Sequence, residues 1–507
     1  MEAHFLLLAR YCKALWMNVI ARLGKHKIAR NMTSLIVAQI VSRGLGVLYV
    51  AALARYVGTE GIGKISTATA LNGLLVLLVG PGLNTLLVRD VAPDRTRAGA
   101  YVSNMLFLKA ALGIPFVLLT MASARVIGYP SDTALVIYAY TLVYLIGALG
   151  ETLSAVFQAF ERMEYQAASQ VVRDLINFSL SLIAIYQRCS LLTIVLMSVI
   201  AEFCRLLLVI ALAYSRFVGP RLAISLSMSK RLLISSRSFG VLLILHTLQS
   251  QLGILVLSLF HPEHVVGTFS AANSVITMLL LLPAAFSGAI FPSFSSLYGQ
   301  ARHDLARLYA TCFKLLLVLG FPLGLGAMLV GDRIMLLVYG GEFEASATVL
   351  RILAVFLFTI VGYSNGPLLN AAGRERFFAW TQGLAVVANA VLCLLLVPTW
   401  GAIGPAIAFV SVGIATFFVH SIASHRLLEL RLPWLTISKV LLATLAMGLV
   451  ARGSLWAGVP WLVVVFTIAP IAYGLASLAL GTLKREDLRT LSDVPSGAWT
   501  KEGAAPA

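Results

Sequence analysis

Charged residues are scarce in this chain of 507 residues, because Asp, Glu, Lys and Arg together make up only 12% of it. A soluble protein is about one quarter charged. Since 59% of the residues are hydrophobic, a protein core cannot bury all of them, and lipid must solvate the rest. The apolar runs are continuous and lack the alternation of a β-barrel, so the sequence predicts membrane-spanning α-helices.

Cysteines are also few, and compact catalytic motifs are missing. The five cysteines lie far apart, without the spacing of metal ligands or of a disulfide framework. The sequence has no Gly-rich loop ending in Lys-Ser/Thr, and no grouping of Ser, His and acid that supports catalysis. We therefore expect no bound cofactor, no metal and no enzymatic activity, and a membrane-embedded glycosyltransferase or polymerase is disfavoured.

Basic residues outnumber acidic ones by 38 to 21, which gives a net charge of +17. They are spread over short loops and form no patch with interleaved aromatic residues, so nucleic-acid binding is not indicated. They concentrate in the loops of one side, among them residues 89–97 and 216–238. This positive-inside bias predicts that both termini lie in the cytoplasm.

The hydropathy pattern predicts an all-α polytopic membrane protein with about fourteen spans. Six spans return the chain to its starting side, so two six-helix lobes are expected to form a parallel repeat, followed by two C-terminal helices. The predicted segments are an interfacial amphipathic segment (1–30), an N-lobe (31–215), a basic cytoplasmic linker (216–238), a C-lobe (239–424), two further helices (425–483) and a cytoplasmic, disordered tail (484–507). The predicted spans are 32–54, 65–88, 99–123, 133–158, 167–187, 191–214, 239–260, 268–296, 309–330, 347–370, 377–398, 403–423, 435–452 and 460–482.

Charged side chains inside these spans are costly, at roughly 2.5–3.5 kcal/mol each at the bilayer centre. Arg43 and Lys109 have no acid nearby on their own helices, so each needs a partner on another helix or a water-filled cavity, and we favour the cavity. The three acids within the spans are outnumbered by basic residues, which predicts a net positive interior; the basic residues counted are Arg43, Lys109, Arg173, Arg205, Lys314 and Arg351. Arg351, near a helix end, is expected to reach the headgroups.

The remaining charges suggest local pairing. Glu202 and Arg205 are one turn apart, which predicts a structural ion pair. Arg173 and Asp174 are sequence neighbours on different faces of a helix, so we expect no ion pair between them.

Neutral polar residues line one face of several spans. They either bind a substrate or form hydrogen bonds between helices. The candidate substrate-binding residues are Arg43, Lys109, Asn72, Gln170, Asn177, Gln249, Asn273, Lys314 and Asn389. The candidates for coupling to an ion are Glu151, Asp174 and His246.

Five short segments occur in the order in which one transporter family carries them. They are Arg55–Gly63, Phe157–Arg162, Tyr339–Phe343, Asn370–Arg374 and Pro398–Gly404. Together they resemble the polysaccharide (O-antigen and exopolysaccharide) flippases of the multidrug/oligosaccharidyl-lipid/polysaccharide exporter superfamily. Val57 and Ile62 depart from the family pattern, which has Leu and commonly an aromatic residue at these positions.

The resemblance implies two lobes around a central cavity in the bacterial inner membrane. It also implies that an undecaprenyl-pyrophosphate-linked oligosaccharide moves from the cytoplasmic to the periplasmic leaflet by alternating access. A coupled H⁺ or Na⁺, or the membrane potential alone, would drive this step, and a polymerase and a chain-length regulator are the expected partners. A lipid II flippase and a drug/cation antiporter of the same superfamily are the alternatives.

Overall fold

The computed structural model describes residues 27–219, 224–299, 302–429 and 433–482, and it describes their side chains except those of 27–40, 238, 239 and 242. The predicted amphipathic segment therefore lies almost entirely outside the described residues, and the predicted tail does so completely. The helices are α1 (Lys27–Leu75), α2 (Leu83–Val91), α3 (Ala98–Ile127), α4 (Ser131–Ala159), α5 (Met163–Tyr186), α6 (Leu191–Arg216), α7 (Leu226–Ser235), α8 (Arg237–Phe260), α9 (Glu263–Leu279), α10 (Leu281–Tyr298), α11 (Arg302–Val338), α12 (Glu344–Ala354), α13 (Asn365–Ala371), α14 (Glu375–Trp400), α15 (Ile403–Leu428), α16 (Trp434–Trp456), α17 (Trp461–Val463) and α18 (Ala469–Ala479). Short 3₁₀ segments at Val76–Val79, Arg95–Arg97, Gly341–Phe343 and Val355–Ser364 and a π-helical turn at Val464–Ile468 complete the described secondary structure.

The all-α membrane architecture predicted from hydropathy is confirmed. Within the described ranges, 13 helical segments are long and apolar enough to cross a membrane. The first of them, Val41–Val79, extends over most of the first predicted span and into the second. It is bent at Gly58, whose backbone has φ 65° and ψ −168°, a conformation that essentially only glycine adopts. The 13 segments are one fewer than the fourteen predicted spans, because the first two predicted spans belong to this one bent segment.

The described chain divides into two compact units. The first contains the residues up to Val57 together with Thr67–Thr247, and the second contains Gly58–Ser66 and the residues from Leu248 onward. The long helix α1 therefore contributes a short segment to the second unit. The lobe boundaries predicted from the spans remain a prediction.

The predicted basic linker contains a helix, α7, that is anchored within the first unit. The side-chain oxygen of Asn104 on α3 accepts hydrogen bonds from the Ser225 backbone N–H, at 2.7 Å, and from the Ser229 hydroxyl, at 3.2 Å. Leu232 of α7 packs into the same hydrophobic core as Leu153 and Val209. The linker is thus tied to the unit that precedes it by both polar and apolar contacts.

A buried polar chain joins three elements of the second unit. The Tyr309 hydroxyl on α11 donates to Asn365 Oδ1 on α13 at 2.7 Å. The Asn365 amide in turn donates to the Ser421 hydroxyl on α15 at 3.0 Å. The Tyr309 ring also packs edge-on against the His425 ring, at 5.6 Å between centroids. Because hydrocarbon offers no competing partners, such bonds hold helices together inside a membrane.

Two glycines allow a very close helix crossing within the second unit. A Cβ atom added to Gly63 would overlap the backbone of Glu263, and one added to Gly267 would overlap the backbone of Thr59. Each obstacle is main chain of the opposite helix, so it cannot move aside as a flexible side chain does. The crossing of α1 and α9 therefore requires a residue without a side chain at both positions.

Substituting either glycine is expected to destabilise the protein. Gly63→Ala and Gly267→Ala force the two backbones apart, and overpacking of this kind costs about 1–3 kcal/mol or more. We expect a lower melting temperature for each variant in thermal unfolding of the detergent-purified protein. Gly44→Ala and Gly46→Ala on α1 are the matched controls, because an added Cβ there meets nothing within 4 Å. Equal melting temperatures for all four variants would contradict the close crossing.

Candidate functional site

The centre of the first unit holds an ion pair that the sequence predicted. Glu202 Oε1 lies 2.5 Å from Arg205 Nη2 and 2.8 Å from Arg205 Nε on α6. Both residues are 3% exposed. The spacing of three residues places them on the same face of one helix. A pair buried this deeply is part of the framework of the unit.

The pair belongs to a larger network across α4, α5 and α6. Arg205 Nη1 lies 3.2 Å from Glu151 Oε1 on α4, and Arg173 Nη1 on α5 lies 3.5 Å from Glu202 Oε2. Arg173 Nη2 also lies 2.5 Å from Asp174 Oδ1. The network therefore runs Asp174, Arg173, Glu202, Arg205, Glu151, with acid and base alternating.

The prediction that Arg173 and Asp174 do not pair is wrong. Their Cα atoms do project side chains in different directions, but the flexible arginine side chain is long enough to fold back onto the adjacent carboxylate. Helical spacing rules describe where Cβ atoms point. They do not limit where a guanidinium group at the end of four rotatable bonds lies.

Lys109 is enclosed by protein. It is 3% exposed, and its ammonium group donates to Asn84 Oδ1 at 2.8 Å and to the Ala148 carbonyl oxygen at 2.9 Å. Glu151 attracts it electrostatically. Lys109 thus connects α3 to α2 and α4. The sequence analysis missed Asn84, although a second Asn in the apolar predicted span 65–88, after Asn72, was a usable signal.

The excess of positive charge predicted for the spans is largely compensated. In the first unit, three acids balance the charges of Lys109, Arg173 and Arg205. Each of these acids (Glu151, Asp174 and Glu202) contacts an arginine of the network. In the second unit, Arg351 Nη2 lies 3.7 Å from Asp332 Oδ1. Asp332 was left out of the predicted span 309–330, whereas α11 continues to Val338. Arg351 thus has an acidic partner, and the expectation that it reaches the headgroups remains a prediction.

Arg43 differs from these cations. It is exposed, and it lies midway along the predicted span 32–54. Among the residues whose side chains are described, none forms a hydrogen bond or an ion pair with its side chain. Lys314, the remaining cation of the candidate set, is partly buried and has contacts of its own. Arg43 is thus the candidate cation most available to an external anion.

Asn72 combines a structural role with an unused acceptor. It is fully buried, and its amide donates to the backbone oxygens of Ala68, at 2.9 Å, and of Ile137, at 3.1 Å. The second bond joins α1 to α4. Its side-chain oxygen has no hydrogen-bond partner within the described part of the chain.

Two further candidates of the first unit contact other polar side chains. Asn177 Oδ1 accepts a hydrogen bond from the Ser198 hydroxyl at 2.8 Å, which joins α5 to α6. Gln170 donates to Asp174 Oδ2 at 3.3 Å, so it adjoins the charge network. Both are partly exposed. The structure thus brings Gln170, Asp174 and the network together on one side of α5.

The remaining candidates lie on α8, α9 and α14. Gln249 on α8 has a buried side-chain oxygen without a hydrogen-bond partner among the described residues. Asn273 on α9 is partly exposed, and His246 on α8 is exposed. Asn389 on α14 is buried, with its side-chain oxygen 3.8 Å from Cys393 Sγ. Their roles as binding or coupling residues remain predictions.

Comparison with known proteins identifies relatives along the whole fold. The family model for polysaccharide biosynthesis protein matches residues 28–298, and the model for the lipid II flippase MurJ matches residues 269–480. The chain is 23% identical to the teichuronic acid biosynthesis protein TuaB of Bacillus subtilis, over 75% of this chain and 78% of that protein. It is 22% identical to the probable low-salt glycan biosynthesis flippase Agl15 of Haloferax volcanii (83% and 89% covered) and 24% identical to the lipopolysaccharide biosynthesis protein WzxC of Escherichia coli (83% and 87% covered).

Solved structures share the fold. The inward closed conformation of the lipid II flippase MurJ superposes with a TM-score of 0.73 at 12% identity, covering 90% of this chain and 99% of that one. An inward-facing multidrug resistance transporter of the MATE family superposes with a TM-score of 0.63 at 16% identity, covering 79% and 98%. At these identities the likeness concerns the fold alone.

The resemblance found in the five short segments is therefore confirmed. The same matches confirm the prediction of a polysaccharide flippase, which is a transporter and not an enzyme. The match over residues 28–298 takes in more than half of the 507 residues, and the chain thus belongs to the polysaccharide biosynthesis protein family.

Proposed function

We propose that this protein carries an undecaprenyl-pyrophosphate-linked oligosaccharide from the cytoplasmic to the periplasmic leaflet of a bacterial inner membrane. The oligosaccharide would be a repeat unit of a cell-surface polysaccharide, and a polymerase and a chain-length regulator would act on it after transfer. Family membership and relatives named for teichuronic acid, glycan and lipopolysaccharide biosynthesis support this proposal.

The observation that carries the proposal is the state of Arg43. An exposed arginine at the middle of a span costs roughly 2.5–3.5 kcal/mol if it faces hydrocarbon, even on the mildest scale. In the predicted span 32–54 it lies eleven residues from either end, which is roughly 16 Å along a helix. We therefore infer that Arg43 faces a hydrated path. A guanidinium group is the side chain best suited to hold a phosphate through two parallel hydrogen bonds.

The paired charges of the first unit have a different role in this proposal. Lys109, Arg173 and Arg205 are already bonded to protein acceptors, so they hold α2 to α6 together and leave the anion to Arg43. The partly exposed amides of Gln170 and Asn177 are suited to exchange their present bonds for hydrogen bonds with sugar hydroxyl groups. The lipid tail of the substrate would remain in the bilayer.

The orientation of the protein follows from its loops. Exposed arginines, among them Arg89, Arg95, Arg97 and Arg216, lie at the ends of helices that the charge bias assigns to the cytoplasm. This distribution supports an inner-membrane location with both termini in the cytoplasm.

Deleting the gene in its host is expected to trap the substrate on the cytoplasmic side. The undecaprenyl-pyrophosphate-linked repeat unit should accumulate, and it should be accessible to a sugar-binding lectin in inside-out vesicles but not in right-side-out vesicles. Complementation with the intact gene is the control. Accumulation of lipid II together with arrested peptidoglycan synthesis would contradict the proposal and assign the other substrate.

A further inference from the structure

A groove with two arginines opens on the surface of the second unit. It has a volume of about 410 Å³, and its lining includes Arg374, Arg426, Phe377, Val419 and Ile422. All of these residues lie at or near one end of the hairpin formed by α14 and α15. Only Gly401 and Ala402 separate these helices, so the start of α14 lies beside the end of α15. Arg374 immediately precedes α14, and Arg426 is two residues from the end of α15.

The two arginines have no acidic partner among the described residues. Both are exposed, and no described side chain forms an ion pair with either one. Glu429, the acid that follows α15, is instead 3.3 Å from Arg302. Arg302 also donates to the backbone oxygen of Leu427, so a third guanidinium group lies beside the groove. The local field is therefore positive, and it favours an anion.

The rest of the lining is apolar and exposed. Phe377, Val419 and Ile422 are 39%, 45% and 50% exposed, respectively. A free phosphate ion in this groove would leave these side chains uncovered. A molecule that has both a phosphate group and a hydrocarbon chain would satisfy the two arginines and the apolar wall together.

Tryptophans mark this end of the unit as the membrane surface. Trp380 on α14 is 80% exposed, and Trp434 at the start of α16 is 69% exposed. Exposed tryptophan is typical of the level of the lipid headgroups. The positive-inside bias assigns the same end to the cytoplasm, where the leaflet contains anionic lipid. The groove thus lies at the level of the phospholipid phosphates of this leaflet.

We propose that the groove between the start of α14 and the end of α15 binds an anionic glycerophospholipid. Arg374 and Arg426 hold its phosphate, and one acyl chain runs along Phe377, Val419 and Ile422. Basic pockets between membrane helices on the cytoplasmic side recognise lipid headgroups in this way. The proposal does not depend on the transported substrate, so it stands or falls separately from the proposed function.

Binding of two short-chain lipids to the purified, delipidated full chain tests the site. We expect native mass spectrometry to show tighter binding of dioctanoyl phosphatidylglycerol than of dioctanoyl phosphatidylcholine. The double variant Arg374→Gln/Arg426→Gln should bind phosphatidylglycerol more weakly by a factor of more than about ten, since it loses two charge-assisted bonds to one phosphate. Its binding of phosphatidylcholine should fall less, because the choline cation already offsets the charge of that lipid's phosphate.

The matched control removes the same charge elsewhere. Arg125→Gln/Arg188→Gln takes away two exposed arginines outside the lining of the groove and should leave both affinities unchanged. If the double groove variant does not fold, the single variants Arg374→Gln and Arg426→Gln provide the test, each with a smaller loss. Wild-type affinity for phosphatidylglycerol in the folded groove variants would overturn the proposal. So would full displacement of phosphatidylglycerol by equimolar undecaprenyl pyrophosphate, which would assign the groove to the substrate.

Discussion

Replacing Arg43 by Gln is expected to stop the appearance of surface polysaccharide while the protein remains in the membrane at its normal level. Arg43 is exposed and forms no hydrogen bond or ion pair with a described side chain. Its loss therefore removes no such contact within the fold. A bond to a charged phosphate contributes about 1.5–3 kcal/mol. We therefore expect transport to fall by about ten- to a hundredfold. Immunoblotting of surface polysaccharide in a complemented deletion strain, beside an immunoblot of the membrane fraction, measures both quantities.

Two variants sharpen this test. Arg43→Lys keeps the charge but loses the paired donors, so it should retain part of the activity. Arg125→Gln removes an exposed arginine at the end of α3 and should leave polysaccharide at its normal level. Normal export by Arg43→Gln would show that this cation does not hold the substrate. Loss of the protein from the membrane would mean that Arg43 has a structural role instead.

Replacing Glu202 by Ala is expected to destabilise the first unit strongly. Arg205 would lose the carboxylate 2.5 Å away and keep the half-exposed Glu151 and the Gly147 backbone oxygen, which is 3.4 Å away. Removing one partner of a buried ion pair costs about 3–5 kcal/mol, because the other charge is left buried without compensation. We expect a much lower melting temperature of the detergent-purified protein and little protein in the membrane.

Removing both charges separates this explanation from a general intolerance of the position. The double variant Glu202→Met/Arg205→Met has apolar side chains of similar size and should regain much of the lost stability. Glu151→Gln should have a small effect, since its side chain is 48% exposed and solvent or headgroups compensate it. A double variant as unstable as Glu202→Ala would refute the view that an uncompensated charge is the cause.

For Lys109, the sequence correctly predicts a buried charge that needs a partner, but it does not determine whether the lysine binds a substrate or holds helices together. The sequence places a lysine in an apolar span and requires a partner for it, either on another helix or in a cavity. The structure supplies Asn84 and Ala148, on two helices far apart in sequence. Arg43 shows the same pattern in sequence, but no described side chain forms a hydrogen bond or an ion pair with it. The difference depends on which helices become neighbours, and hydropathy does not contain that information.

The glycines of the five short segments are a second example. Arg55–Gly63 was recognised by its resemblance, without a physical reason for its glycines. In the structure, Gly58 has a backbone conformation open only to glycine, and Gly63 meets the backbone of another helix. The partner of Gly63, Glu263, lies some two hundred residues away, so the close crossing was not visible in the sequence.

The sequence by itself determined that this is a membrane protein whose helices cross the bilayer many times. It also determined that the protein belongs to a transporter family of polysaccharide biosynthesis. These properties are local, because hydrophobicity, loop charge and short motifs are each read within a few turns of chain. Only the tertiary structure decided which charges are neutralised, since Glu151, Arg173 and Glu202 meet across three helices. It also decided which basic residue of the candidate set has no contact with a described side chain. Pairing between distant segments depends on packing, and packing is set by the whole chain rather than by any one span.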